Sequence, residues 1–283
     1  DGENVKKGNI KWPNGAKCAV LFTIHVDGES LYNRPEETPT PRRVTYGRYG
    51  IVRSVDRLLE LTQKKNVPCS YFVPGQIAQR YPEMVKKIDS LGYEIGFHGF
   101  DHEDAMYTDR STEEWINVVE RAQSVFESII GKRAVGYVAT SSDFQMDAPE
   151  IWYERLGFLY SSSMRGDDRP YRWDFGKGET DFIEIPARWE LDDYPYFCYN
   201  YNPPQRRGQA RIASYQGVLS NWKHEFDGYY NQGGCMCWML HPQISGIPGR
   251  SQLLEEMIDY MKNRPDVWFA TGKEIAEWWK ANY

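Results

Sequence analysis

A chain of 283 residues, 41% of them hydrophobic, is long enough to bury a full core as one large α/β barrel or two modest domains. A formal charge of -6 with no basic block argues against nucleic acid as a partner, and no apolar run approaches the roughly 18 residues of a membrane span. The five cysteines, Cys18, Cys69, Cys198, Cys235 and Cys237, are odd in number and mostly sit in strand-like runs, so they read as buried free thiols and not as a disulfide framework or a zinc ribbon.

In chain order, Cys18 to Ile24 is a continuous apolar run of strand length, fitting a central parallel strand. His25-Val-Asp27-Gly-Glu29 follows it, and strand alternation would send His25, Asp27 and Glu29 to one side. Leu31 to Tyr49 has no clear period and reads as a long connection. Ile51, Val52, Val55, Leu58 and Leu59 then form a helical stripe, and Cys69 to Val73 a strand stopped by Pro74-Gly75. Ile77, Tyr81, Val85, Ile88 and Leu91 make a second helical face, leading into a strand over Tyr93 to Phe97. Ser111-Thr-Glu-Glu114 is a capping box ahead of a third stripe through Trp115, Val119, Ala122, Phe126 and Ile130.

Val135 to Ala139 reads as a strand, and Ala148 to Leu156 as a short helix capped by Asp147. Leu159 to Ser162 and Phe182 to Ile185 read as further strands. Tyr194 to Asn231 is aromatic, rich in Pro, Gly, Asn and Gln, and weakly periodic, which predicts a lid or oligomer-contact excursion. After the strand Cys235 to Leu240, a helix carries Leu253 to Met261, a last strand covers Val267 to Ala270, and Thr271-Gly-Lys-Glu274 caps a terminal helix. Some seven or eight strands alternating with helices, without a glycine-rich dinucleotide fingerprint, predict one domain with a distorted (β/α) barrel.

Three of only five histidines lie at strand ends: His25, His98 and His241. Polar groups at strand ends of an α/β protein converge on one rim, where active sites are built. His98 and His102 are four apart, and two imidazoles with one carboxylate make a set that binds zinc or a similar divalent ion while leaving positions open. The competing reading is that these histidines merely bond to backbone or solvent.

Thr23-Ile-His-Val-Asp-Gly-Glu29, Tyr71-Phe-Val-Pro-Gly75, Glu94-Ile-Gly-Phe-His-Gly-Phe-Asp-His102, Gly136-Tyr137, Tyr160-Ser-Ser162 and Leu240-His-Pro242 occur in this order. Together they resemble the polysaccharide deacetylase (NodB-homology, carbohydrate esterase family 4-like) superfamily. Tyr46 to Gly50, Arg165 to Tyr171 and Trp189 to Tyr196 are similar to its branch with peptidoglycan-deacetylase-like proteins, allantoinases and cyclic imide hydrolases. The resemblance covers roughly residues 10 to 280 and implies a NodB-like deacetylase fold. It implies Asp27, His98 and His102 as ligands of one divalent metal, most simply zinc, and His241 as the residue that protonates the leaving group.

Two departures from the pattern stand out. The residue two before the metal aspartate is His25 where the branch usually has an acidic base, leaving His25 as base, fourth ligand or structural residue. Val138-Ala-Thr140 lacks the Arg and Pro that generally follow Gly-Tyr. Glu29 is expected either behind a ligand histidine or in loop hydrogen bonds. Asp167 and Asp192, with Asp168 and Asp193 beside them, are candidates to orient ligands, touch substrate or meet a neighbouring subunit, against solvation alone.

The expected reaction is metal-assisted hydrolysis of a non-peptide carbon–nitrogen bond. Without the deacetylase Arg, a small cyclic imide or ureide is the favoured substrate. The alternatives are deacetylation of N-acetylated sugars or peptidoglycan, and a non-catalytic carbohydrate-binding relic. A homotetramer is expected, with no nucleic acid or membrane partner. A cytoplasmic location is expected, with secretion left open because the sequence starts at Asp1 and not at Met.

Overall fold

The computed structural model describes residues 10–32, 39–103, 110–198 and 212–283. Its centre is β1 (Cys18–His25), eight residues buried on both faces, as a continuous apolar run requires when helices cover one side of a curved sheet and side chains fill the other. Around it lie β2 (Ser70–Val73), β3 (Glu94–Phe97), β4 (Gly136–Tyr137), β5 (Tyr160–Ser161), β6 (Tyr171–Asp174), β7 (Glu179–Glu184), β8 (Cys235–Leu240) and β9 (Val267–Phe269). The sheet runs β6-β7-β5-β4-β3-β2-β1-β8, with β9 also paired to β1, and only the β6–β7 hairpin is antiparallel. The expected distorted (β/α) barrel is present, in the form of a half-barrel. The hairpin strand β6 is unforeseen, because its Tyr-Arg-Trp-Asp sequence leaves it only partly buried.

The helices are α1 (Pro41–Tyr49), α2 (Val55–Lys64), α3 (Gly75–Arg80), α4 (Pro82–Ser90), α5 (Thr112–Ile130), α6 (Ala148–Glu154), α7 (Asp193–Phe197), α8 (Tyr215–Gln232), α9 (Pro242–Ser245), α10 (Pro248–Lys262) and α11 (Gly272–Asn282). Both capping boxes form, at Ser111/Glu114 and Thr271/Glu274. Asp147 precedes α6 but its side chain makes no capping hydrogen bond, because its backbone is already helical and turns the carboxylate from the free N–H groups. The stripe Ile77 to Leu91 is broken into two helices at Tyr81, where Pro82 starts α4.

Two connections expected to be irregular are partly helical. Within Leu31–Tyr49, α1 starts on a Thr40 cap with Pro41 in its first turn; residues 33–38 lie outside the described part. Helix α1 lies flat on the 3-10 turn Gly28–Tyr32, and Gly47 permits this, since a Cβ there would sit 2.3 Å from the Gly28 carbonyl oxygen. A π-helical turn, Gly50–Ser54, joins α1 to α2. Within 194–231, α8 buries Val218, Leu219, Trp222, Phe226 and Tyr229 at three- and four-residue spacing. At about 1.5–3 kcal/mol for each such side chain removed from water, this helix is part of the core and not a lid. The exposed Gly217 and Gly228 and the polar residues between the apolar ones dilute the stripe. Residues 199–211 of that excursion lie outside the described part.

The barrel interior is closed at its lower end by Trp12, Ala19, Leu21, Phe72, Tyr160, Cys235, Cys237 and Ile275. All five cysteines are free thiols, four of them buried, as expected. No helix among the described residues is long and apolar enough to cross a membrane.

Candidate active site

Because neighbours of β1 run parallel to it, the carboxyl ends of β1, β3 and β8 open on one rim. His25 is the last residue of β1, His98 follows β3 directly and His241 follows β8 directly. Asp27 comes two residues after His25, just before the 3-10 turn, and His102 lies on the loop after β3. That loop doubles back through two left-handed residues, Gly99 at φ +77° and His102 at φ +57°. For histidine this conformation is uncommon and costs strain, which marks a position held for function. Glu103 fixes the bend by accepting from the Phe100 N–H at 2.8 Å.

The three expected ligands do converge. His98 Nε2 lies 3.3 Å and His102 Nε2 3.5 Å from Asp27 Oδ1, and all three residues are buried. His98 Nδ1 lies 2.8 Å from the Val138 carbonyl oxygen, which can only accept, so Nδ1 carries the proton and Nε2 presents a lone pair. That lone pair faces Asp27 Oδ1, which has no hydrogen-bond partner although it is fully buried. Two acceptors face each other out of water and repel unless a cation lies between them. One carboxylate oxygen and two imidazole nitrogens therefore fit a divalent metal ion. Burial alone would raise the Asp27 pKa, but the imidazole charge around it, that of the protonated His241 included, outweighs burial and lowers it.

His241 faces the same carboxylate, with Nε2 3.7 Å from Asp27 Oδ2. Its other edge is gripped by Asp193: His241 Nδ1 donates to Oδ1 at 2.7 Å and the His241 backbone N–H to Oδ2 at 2.8 Å. Burial opposes a charged imidazole here, yet Asp193, Asp192 and Asp27 outweigh it and raise the pKa to about 10. His241 thus carries a proton at neutral pH, as a general acid must. Asp192, 3.6 Å from His241 Nδ1, accepts from the Tyr194 N–H; burial and the adjacent Asp193 push its pKa up to about 7.

His25 sits between these halves, its ring centroid 5.0 Å from that of His98 and 4.9 Å from that of His241. Burial, then His241 and His98, hold its pKa well below the usual imidazole value, so the ring is neutral. Its Nε2 is buried without a partner.

Two of the expected residues go elsewhere. Glu29 accepts from the Tyr81 hydroxyl at 2.6 Å and lies 3.6 Å from Arg80, not behind a ligand histidine, because the turn at Gly28 ends the strand alternation. Asp167 accepts from the Asp168 and Arg169 backbone N–H groups and orders its own loop. Asp193 supplies the histidine contact where Asp192 was the candidate. The acidic doublet was visible, but which carboxylate turns inward depends on the 3-10 turn Trp189–Leu191, which no periodicity encodes. Val138, where an arginine was missed, is buried, and the Ala139 N–H donates to Ser163 Oγ at 2.9 Å.

Comparison with known proteins agrees with this geometry. Residues 45–158 match the model of a family described as polysaccharide deacetylase. A peptidoglycan deacetylase of Helicobacter pylori is 27% identical over 262 residues, covering 84% of this chain and 87% of its own. A crystal structure from Mycobacterium smegmatis assigned to the polysaccharide deacetylases is 33% identical, with TM-score 0.88 and coverage of 97% of this chain and 94% of that one. An allantoinase structure shares the fold at TM-score 0.84 with 21% identity, covering 100% of this chain and 96% of its own.

Proposed function

The chain belongs to the polysaccharide deacetylase family, whose reaction is hydrolysis of non-peptide carbon–nitrogen bonds, and we propose that it removes acetyl groups from N-acetylated sugars of peptidoglycan or a related polysaccharide. The observation that carries this reading is the buried set Asp27, His98 and His102, whose ligand atoms converge around the unpartnered Asp27 Oδ1 beside a protonated His241. These three residues would hold one divalent ion, with zinc the best match to the donors. When bound, such an ion supplies Lewis-acid polarisation of the amide carbonyl and activation of water.

The protein's own groups do the rest. His25 is neutral with Nε2 open, so it accepts the proton released from the attacking water. His241 Nε2 donates a proton to the departing sugar nitrogen, and Asp193 on Nδ1 keeps the ring oriented and charged. Water is then divided as required: hydroxyl to the acetyl carbon, proton to the amine. The histidine at position 25 also accounts for the apolar Val138. A catalytic aspartate needs a cation to keep it ionised, whereas a neutral histidine does not.

A small cyclic imide or ureide is the second reading, favoured by His25 and Val138 standing where sugar deacetylases generally have an acid and an arginine. The allantoinase likeness, at 21% identity, speaks for the fold alone. Acetate release from N-acetylglucosamine oligomers, measured beside ring opening of succinimide, hydantoin and allantoin, separates the two. Acetate release at least tenfold faster in kcat/KM is expected; turnover confined to the cyclic amides would overturn the sugar reading. We further propose self-association into a tetramer, which would cover exposed apolar side chains such as Met146. Sedimentation as a 33.1 kDa species at micromolar concentration would contradict it.

A further inference from the structure

We propose that Ser163 is a positioning residue for the ion site: it fixes the peptide group that in turn fixes the ring of His98, and the buried Glu184 carboxylate holds it in place. This rests on the reading of Asp27, His98 and His102 as ligands of one ion, and adds a residue that acts through one of them.

Strand β4 is only two residues long, Gly136–Tyr137. Its edges are closed by the Val138 N–H, which donates to the Phe97 carbonyl at 3.2 Å, and by the Ser162 N–H, which donates to the Tyr137 carbonyl at 2.9 Å. The next peptide group joins Val138 to Ala139, and side chains hold it from both sides. Its carbonyl oxygen accepts from His98 Nδ1 at 2.8 Å, and its N–H donates to Ser163 Oγ at 2.9 Å. A peptide group is a rigid plane, so these two contacts are not set independently. Turning the N–H away from Ser163 swings the carbonyl away from His98. His98 then loses the acceptor that puts its proton on Nδ1 and points the Nε2 lone pair at Asp27 Oδ1.

Ser163 is itself held. Its Oγ also accepts from the Ser161 hydroxyl at 3.0 Å, so both of its lone pairs are used. Its own N–H and that of Met164 donate to Glu184 Oε1 at 2.6 and 2.7 Å. The other carboxylate oxygen accepts from Trp173 Nε1 at 3.0 Å. Glu184 ends β7 and is fully buried, and these donors replace the water it has lost. The path from Glu184 through Ser163 and the Val138–Ala139 peptide to His98 therefore has a hydrogen bond at every step. Ser162, next in the chain and equally buried, faces elsewhere, its Oγ 3.3 Å from Cys237 Sγ. It is a matched control off the path.

The test measures zinc affinity by competition with a chelator in wild type, Ser163→Ala, Ser163→Thr and Ser162→Ala, together with the visible absorption of each protein loaded with cobalt(II). Ser163→Ala is expected to bind zinc about 10–100-fold more weakly and to shift the cobalt bands, the usual consequence of losing a group that orients a ligand histidine. Ser163→Thr keeps the hydroxyl and is expected to restore both readouts, and Ser162→Ala is expected to match wild type. A role in packing alone would lower the melting temperature of ion-free Ser163→Ala and leave its zinc affinity unchanged, which would overturn the proposal. Equal weakening in Ser162→Ala would overturn it as well, by showing a general loosening of the barrel. One readout needs no variant to fold: heteronuclear NMR of the imidazole nitrogens in ion-free wild type should place the His98 proton on Nδ1, and a proton on Nε2 alone would overturn the path. Wild type that binds no zinc would refute the ion site itself, whereas wild-type binding that is unchanged in Ser163→Ala refutes only the role of Ser163.

Discussion

At the amino ends of the barrel strands, Glu94 accepts from the Tyr160 hydroxyl at 2.8 Å through one oxygen, and from Ser70 Oγ and the Lys273 N–H through the other. Ser70 in turn accepts from the Gly272 N–H at 2.9 Å, so this group pins the start of α11 under the barrel. At the carboxyl ends, about the length of a strand away, Asp27 Oδ1 and His25 Nε2 are buried and have no partner. Both ends place polar side chains inside an otherwise apolar barrel. Satisfied, they are architecture; unsatisfied, they mark where a ligand completes the set.

The strongest way to break this contrast is to remove the histidines that face the unsatisfied Asp27 Oδ1. His98→Ala and His102→Ala are expected to lower kcat by about 10⁴-fold or more, because the catalytic ion loses a ligand, while thermal melting of the ion-free proteins stays near wild type. Activity retained within tenfold in either would dissolve the distinction between the two ends.

His25→Ala sharpens it next. If the neutral imidazole is the base, kcat falls by about 10²–10⁴-fold with metal content unchanged. Loss of metal and activity together would make His25 a fourth ligand, and near-normal turnover would make it structural.

Much of this contrast was legible in the sequence. His25, His98 and His241 each stand at the end of a strand, with Asp27 two residues beyond His25, so strand polarity alone carried them to one rim. His102 was readable from its spacing, although the left-handed turn that delivers it was not. Glu29 was misplaced because alternation was extended past Gly28, where the chain had already left the strand. Asp193 was seen only as one of two equal acids, since its selection depends on tertiary placement of a short turn. Helices α1 and α8 were hidden for another reason. Their stability comes from close backbone contact at Gly47 and from aromatic packing around Trp222, neither of which gives a clean apolar period.

A smaller effect is expected at the acid. Asp193→Asn should lower kcat by about 10²-fold and move the alkaline limb of the kcat profile down. The sign follows from the groups present: Asp193 helps raise the His241 pKa to about 10, activity needs the protonated ring, and activity is lost as pH rises through that pKa. Removing the charge brings the loss to lower pH. An alkaline limb that does not move would separate Asp193 from the proton donor.

The opposite end of the barrel should give almost no change in catalysis. Glu94→Ala leaves the Tyr160 hydroxyl and the start of α11 without an acceptor and is expected to cost about 1–3 kcal/mol of stability in denaturant unfolding, with kcat of the folded fraction within twofold of wild type. A catalytic defect larger than the stability loss explains would mean that the two ends are coupled.

The most direct measurement is the metal content of the protein alone, without substrate. Elemental analysis of wild type, Asp27→Ala, His98→Ala, His102→Ala and Glu94→Ala, each dialysed against buffered zinc, should give about one equivalent in wild type and Glu94→Ala and a small fraction of that in the other three. One full equivalent in His98→Ala and His102→Ala alike would contradict the assignment of the buried Asp27, His98 and His102 cluster as the metal site.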